Sequence, residues 1–333
     1  MTASSSTTQA KSKAVIEPKA VPGSMAVTPV LLGVLGVVCF SLTFPATAVA
    51  EESFNPLTVG AGRSVIAAVA AIAILGAKRQ PLLPPRAIMG PMLVVAATVG
   101  IGFGVFSAVA LRQVGSVHTA VVTGLIPAAT AGMAALRAGE RPSRGYWAAL
   151  ALGLVAVVGF AVVQGGGRVR VPDLLLLIAI AGAGLGYAEG GVLARRYGGW
   201  RVICWAVVLA LPVSLPVTVI ATIATPPRHV SAASATGLAY LGLVSMGLGF
   251  FAWYQAMAKG GVAATGKLQL AQPALTLGWS ALLLGERVSA LSLVAAIVVI
   301  AATALGRKGI LGSTRRTSGK QEVGDTTPKS PTT

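Results

Sequence analysis

The chain has 333 residues, 55% of them hydrophobic and only 11% charged, with Lys and Arg outnumbering Asp and Glu 26 to 9. Soluble domains carry about a quarter charged residues, so this composition, with a mean hydropathy of +0.80, excludes a water-solvated globule and points to a chain dissolved in lipid. The formal net charge of +17 does not indicate nucleic acid, since no basic helix or aromatic-interleaved groove accompanies it; cations in short connecting segments suit anionic headgroups.

Residues 1–27 and 308–333 are rich in Ser, Thr, Gly and Lys and poor in large apolar side chains. Neither can bury enough surface to offset its ordering entropy, so both are expected to be disordered cytoplasmic tails. Between them lie ten apolar stretches near the ~20 residues a spanning helix needs. They run roughly over Pro29–Ala50, Leu57–Ala77, Ile88–Leu111, Val117–Ala138 and Tyr146–Gln164, then Leu174–Ala194, Val202–Ala224, Thr236–Ala258, Val262–Leu284 and Leu291–Leu305. The first ends in Ala48-Val49-Ala50 before Glu51-Glu52, which imitates a signal-peptidase site. It is read as retained, because it matches the sixth stretch in the internal repeat.

That repeat has a fixed offset of 146 residues. Gly115–Ser143 and Gly261–Ser289 align without a gap at 12 identities in 29 positions, among them Pro127/Pro273 and Gly139-Glu140-Arg141/Gly285-Glu286-Arg287. Chance would give about three or four even in so Ala- and Leu-rich a chain. The expected units are residues 28–165 and 172–307, each of five helices. Five is odd, so the second copy enters the membrane from the opposite side and the two halves are inverted. With the N-terminus in the cytoplasm, 19 of the 26 basic residues fall inside, five outside (Arg112, Arg168, Arg170, Arg228, Arg287) and two within spans (Arg63, Lys267). That asymmetry follows the positive-inside rule with both ends cytoplasmic.

Nothing in the spans supports catalysis. His118 and His229 sit at a span end and in a loop, Cys39 and Cys204 are isolated, and no His-Glu-x-x-His, Gly-x-Ser-x-Gly or intramembrane carboxylate pair occurs. No metal site or cofactor is expected, and the chain is not expected to be an enzyme. The informative residues are sparse polar groups within spans, each expensive in hydrocarbon and so expected to face the bundle interior. Thr265, Gln269, Gln272 and Thr276 recur at i, i+4, i+7 and i+11 on the ninth stretch, one helical face, and suit a polar or zwitterionic solute; interhelical hydrogen bonding is the alternative. Pro273 and Pro127 interrupt matching helices, which points to a binding site at the repeat interface. Glu189, the carboxylate well inside a span, reads as a proton, cation or amine site, or else as a structural ion pair with Arg195, Arg196 or another helix. Tyr254 reads as a gate or as part of an interfacial aromatic belt, and its neighbour Trp253 as a belt residue. Lys267 reads as an anchor snorkelling to headgroups, and Arg63 as snorkelling outward or pairing with Glu51 or Glu52. Gly100-x-x-x-Gly104, Gly182-x-x-x-Gly186 and Gly186-x-x-x-Gly190 permit close helix approach.

Arg63 after Asn55-Pro56-Leu57, the two Gly-Glu-Arg blocks, Tyr187-Ala188-Glu189 leading to Arg195-Arg196, Trp253-Tyr254-Gln255 and Gln269-Leu270-Ala271-Gln272-Pro273 together resemble the EamA-type members of the drug/metabolite transporter superfamily. The resemblance covers residues 30 to 307. It implies an all-α integral membrane protein of ten helices in two inverted five-helix repeats, acting as an inner-membrane carrier, often an exporter, of amino acids or other small metabolites by alternating access. Helices one, three, four, six, eight and nine would line the cavity, with Gln269, Gln272, Thr276, Glu189, Tyr187, Tyr254 and Ser41 as substrate-binding candidates and Pro127 and Pro273 breaking helices there. Phe40-Ser41 stands where related proteins commonly carry a Trp-Gly-type pair. The expected partners are the solute and the bilayer, and a homodimer is left open. A non-transporting scaffold or sensor keeping the duplicated fold is the alternative function.

Overall fold

The computed structural model describes residues 27–137, 143–227 and 229–321; Gly139, Glu140 and Arg141, half of the matched Gly-Glu-Arg motif, lie outside them, as do most of the two tails. Among the described residues the chain is helical throughout, without strands. Seven helices among the described residues are long and apolar enough to cross a membrane, and Ala290–Leu305 is a shorter apolar helix.

In chain order, α1 (Val27–Ser41) and α2 (Thr43–Glu51) form one broken rod, followed by α3 (Pro56–Ala77). The α3 helix opens on an N-cap, Asn55, whose side chain accepts from the Leu57 amide, and on Pro56 in the first turn, where a proline costs no hydrogen bond. Next come α4 (Met89–Val95), a π-helical stretch Ala96–Gly102, α5 (Phe103–Thr123), α6 (Ile126–Arg137) and α7 (Arg144–Gln164). The second half has α8 (Val171–Tyr197), α9 (Gly199–Ala224), α10 (Ala232–Ala239), a π-helical stretch Tyr240–Gly249, α11 (Phe250–Gly260), α12 (Val262–Leu268), a 3₁₀ turn Gln269–Ala271, α13 (Gln272–Leu284) and α14 (Ala290–Gln321). The last helix runs on past the apolar stretch into residues that the composition marks as tail.

The sequence repeat is also a repeat of backbone irregularities. The π-helical stretches, rare features, overlap when shifted by the offset of 146. Gly115 (φ 79°, ψ 170°) breaks α5 internally, and Gly261 (φ 83°, ψ 150°) separates α11 from α12. These conformations are essentially closed to residues with a Cβ, so the chain reverses on a single glycine in both halves. The third and fourth apolar stretches therefore meet at Gly115 with no loop between them. The pause between α5 and α6 at Gly124–Leu125 matches the turn at Gln269–Ala271, and Pro127 and Pro273 each fall in the first turn after their pause. Both prolines open a half-helix and neither removes a bond from a helix interior.

Packing repeats as well. The α3 helix packs along α9 and α7 along α14, each helix against its own counterpart, while α1 packs on α11 and α8 on α5, each against the other copy's equivalent. Glycines set the closest approaches. A Cβ on Gly60 would lie 2.7 Å from the Gly104 carbonyl oxygen, and one on Gly184 would lie 2.8 Å from the Ala129 backbone. Interhelical hydroxyl bonds stitch these contacts: Thr43 to Ser245 (2.8 Å), Thr58 to Thr222 (3.1 Å), Tyr240 to the Cys39 carbonyl (2.9 Å) and Ser64 to the Gly100 carbonyl. Such bonds contribute about 0.6 kcal/mol each in membrane proteins, so the tight glycine-mediated packing, multiplied over many contacts, contributes more to holding the bundle together.

Candidate functional site

The two proline-started half-helices face one another at the middle of the bundle. Ala120, Thr123 and Pro127 from the first copy and Gln269, Gln272, Pro273 and Thr276 from the second enclose a void of about 10 Å³. That is room for about one water molecule, so the centre is closed in this conformation. The stripe predicted on the ninth stretch points inward as expected, although the 3₁₀ turn divides its helix. Thr265, Gln269 and Thr276 are buried and Gln272 is partly buried. Gln269 Nε2 donates to Gln272 Oε1 at 3.3 Å, while Gln269 Oε1 is buried without a partner among the described residues.

Thr276 and Ser41 meet. The Thr276 hydroxyl donates to the Ser41 carbonyl (2.9 Å), and the Ser41 hydroxyl accepts from Trp279 Nε1 (3.0 Å). The acceptor is available because the residue four further on is Pro45, which has no N–H to close the helical bond to the Ser41 carbonyl.

An aromatic cluster lies on the same side. Phe40 is 4.8 Å from Phe250 and 5.9 Å from Trp253, and Tyr187 is 5.6 Å from Phe250 and 6.2 Å from Trp253 between ring centroids. Trp253 is completely buried and its indole N–H finds no acceptor among the described residues. This corrects its reading as a membrane-belt residue: α11 turns it toward α1, where Gly36 gives way to its ring. Tyr254, also fully buried, donates to the Gly186 carbonyl at 3.1 Å and fills the space left by Gly190. The Gly186-x-x-x-Gly190 pair thus accommodates a tyrosine. The Tyr187 hydroxyl lies within electrostatic range of Arg63 and near the Gln269 side chain.

Arg63 neither snorkels nor pairs with Glu51 or Glu52. It is 3% exposed, its Nε has no acceptor among the described residues, and its guanidinium stands over the Phe103 ring, 5.7 Å from the centroid. Sequence reasoning placed it in a span without seeing that it turns inward. Glu189 pairs with Arg137 of α6, the structural alternative with a partner from another helix; Glu189 is buried while Arg137 is half-exposed. Lys267 is exposed, as an anchor would be.

A second polar region surrounds the Gly115 reversal, where a cavity of about 400 Å³ is lined by His118, Arg170, Asp173, Glu286 and Arg287 among others. Glu286 of the second copy's Gly-Glu-Arg block accepts from the amides of Ser116 (3.1 Å) and Val117 (3.0 Å) and from the Ser116 hydroxyl (2.9 Å). It caps the helix that restarts after Gly115, where free amides and the helix dipole favour an anion. His118 Nε2 lies 2.7 Å from Asp173 Oδ1, and Asp173 Oδ2 accepts from the Arg170 amide at 2.9 Å. The His118–Asp173 pair is invisible in the sequence because its members belong to different copies. Among the described residues no group of three or more His, Cys, Asp or Glu could hold a metal ion.

The chain matches the EamA-like transporter family twice, over residues 27–162 and 170–306. It is 42% identical over 279 residues to the "Uncharacterized transporter YdeK" of Bacillus subtilis (strain 168), spanning 83% of this chain and 96% of the relative. It is 29% identical over 306 residues to the "Probable terminal-alkyne amino-acid exporter" of Streptantibioticus cattleyicolor, spanning 88% of this chain and 95% of that protein. A solved crystal structure superposes with a TM-score of 0.58 at 18% identity, covering 84% of this chain and 96% of the other, a likeness of fold alone. The chain therefore belongs to the EamA-like transporter family and is a multi-pass membrane transporter, not an enzyme.

Proposed function

We propose that the protein exports a small polar or amphiphilic, amino-acid-like metabolite across the cytoplasmic membrane by alternating access, with both termini in the cytoplasm. On this reading the chain crosses ten times. The crossings beyond the seven long helices are the rod from Ser116 through α6, the interrupted rod of α12 and α13, and α14. Two five-helix copies then have opposite orientation, which agrees with the basic-residue asymmetry and with the paired packing of α3 on α9 and α7 on α14.

One observation carries the reading: two half-helices, begun by Pro127 and Pro273 at matched positions, converge on a single polar void with Gln269 and Gln272 in its wall. Interrupted helices at a repeat interface are where carriers place their solute. A 10 Å³ void is too small for any metabolite, so this conformation is the closed one and transport requires the two half-helix pairs to part. The name of the Streptantibioticus relative supports amino-acid chemistry and the outward direction.

The non-transporting scaffold is favoured by the Thr276–Ser41 bond, which engages one stripe residue in packing. Efflux of labelled amino acids, amines and amphiphilic compounds from cells overproducing the protein separates the two. A carrier lowers accumulation of one solute class and Gln272→Leu restores it; a scaffold leaves every solute unchanged in both.

A further inference from the structure

The closed centre contains a cation that no described residue neutralises. Arg63 lies about two turns into α3, and α5 makes room for it: a Cβ on Gly104 would sit 2.6 Å from Arg63 Nε. The guanidinium packs against a bare glycine and the Phe103 face. Attraction to a ring returns far less than desolvation of an unpaired cation costs, so a charge kept here needs a partner at some stage.

The described carboxylates of the spans do not supply one. Glu189 is taken by Arg137, Asp173 by His118, and Glu286 by the Ser116 and Val117 amides. Glu51 is buried with both carboxylate oxygens unpartnered among the described residues; the cation beside it is Arg112, whose Nη1 donates to the Glu51 backbone carbonyl at 2.8 Å, and Glu51 makes no ion pair with Arg63. Beside Arg63, the orphaned groups at the centre are the Gln269 carbonyl oxygen and the Trp253 N–H. Tyr187 lies within electrostatic range of Arg63 and near the Gln269 side chain, which lines the proline void.

We propose that Arg63 is the docking cation for the carboxylate of the transported solute, with the ring cluster of Phe40, Tyr187, Phe250 and Trp253 receiving its apolar side chain. This rests on the carrier reading above and narrows it: the solute bears a carboxylate beside an apolar group, and the corresponding amides and amines are rejected. Specificity follows because an amide or amine leaves the buried guanidinium unpaired, the costly half of a broken ion pair.

The test uses the full-length protein in proteoliposomes, with L-leucine, L-phenylalanine and L-propargylglycine, each compared with its amide and its decarboxylated amine. Counterflow and the ligand-induced shift in unfolding midpoint are both read for wild type, Arg63→Gln and Arg63→Lys. At least one acid is expected to exceed its amide by about thirtyfold or more, the range for truncating a buried charge pair. Arg63→Gln should level acid and amide. Arg63→Lys, which keeps the charge and loses the planar fork, should fall between. Unliganded Arg63→Gln should melt no lower than wild type, since it removes an uncompensated charge; a structural arginine would make it melt lower. Equal handling of acids and amides by wild type, or a lower-melting Arg63→Gln that still discriminates, overturns the assignment while leaving the carrier reading intact. Acids that raise the midpoint in wild type only, without counterflow, uphold Arg63 and overturn transport. Acids that neither bind nor move overturn both.

Discussion

Two polar regions of this molecule contrast. Around Gly115 both carboxylates have their donors: Glu286 holds two amides and a hydroxyl, and Asp173 holds His118 and the Arg170 amide. At the centre, Arg63 Nε, the Trp253 N–H and Gln269 Oε1 are buried with no partner among the described residues. The first region lies beside a cavity of about 400 Å³, whereas the void in the second is about 10 Å³. Size alone would put the solute in the roomier region. Hydrogen-bond accounting favours the tighter one for the proposed solute, because a satisfied network holds structure and an unsatisfied one leaves donors and acceptors open to a ligand.

The comparison breaks most easily at Glu286. If its role is to cap, Glu286→Ala strands two amides and should cost about 3 kcal/mol or more, seen as a drop of several degrees in unfolding midpoint in detergent. Glu286→Gln, which keeps one acceptor oxygen, should lose clearly less. The adjoining glycine gives a smaller effect of the same kind. A Cβ at Gly115 meets nothing nearer than 3.6 Å, so the cost of Gly115→Val comes mainly from φ 79°, on the order of 2 kcal/mol. Gly261→Val should cost a similar amount if the two copies share this device. A large mismatch between the two would show that the matched backbone angles carry different loads.

The centre should respond with the opposite sign. Gln269→Leu removes an orphaned buried carbonyl oxygen at nearly constant volume and gives up only the long 3.3 Å bond to the partly buried Gln272, so it should raise stability by up to about 1 kcal/mol while abolishing efflux. A loss of stability would mean that Gln269 is a structural residue and that the contrast between the regions fails.

The repeat made much of this legible in advance. The offset fixed which glycines and prolines correspond, and the structure places the single-glycine reversals at Gly115 and Gly261 and the half-helix starts at Pro127 and Pro273 in that correspondence. Rotation about each helix axis was not legible. In water an apolar stripe says which way a helix faces, but these helices are apolar nearly all round, so neither the inward turn of Arg63 nor the burial of Trp253 had a signal. The stripe Thr265–Thr276 could be read because its polar residues are numerous enough to mark a face. The Glu189–Arg137 pair and the His118–Asp173 pair each join separate helices, and no spacing in one sequence encodes such a partnership.

The smallest effect is the most discriminating within the stripe itself. Thr276 is bonded to the Ser41 carbonyl, so unlike Gln269 it is already satisfied, and Thr276→Val exchanges a hydroxyl for a methyl of the same size. If Thr276 serves packing, the change should cost about 0.6 kcal/mol and leave solute selectivity where it was. If the bond at Ser41 instead opens during the transport cycle, then weakening it favours the open form. Efflux turnover would rise at unchanged solute affinity, a pattern that separates a latch from both a binding residue and an inert hydrogen bond.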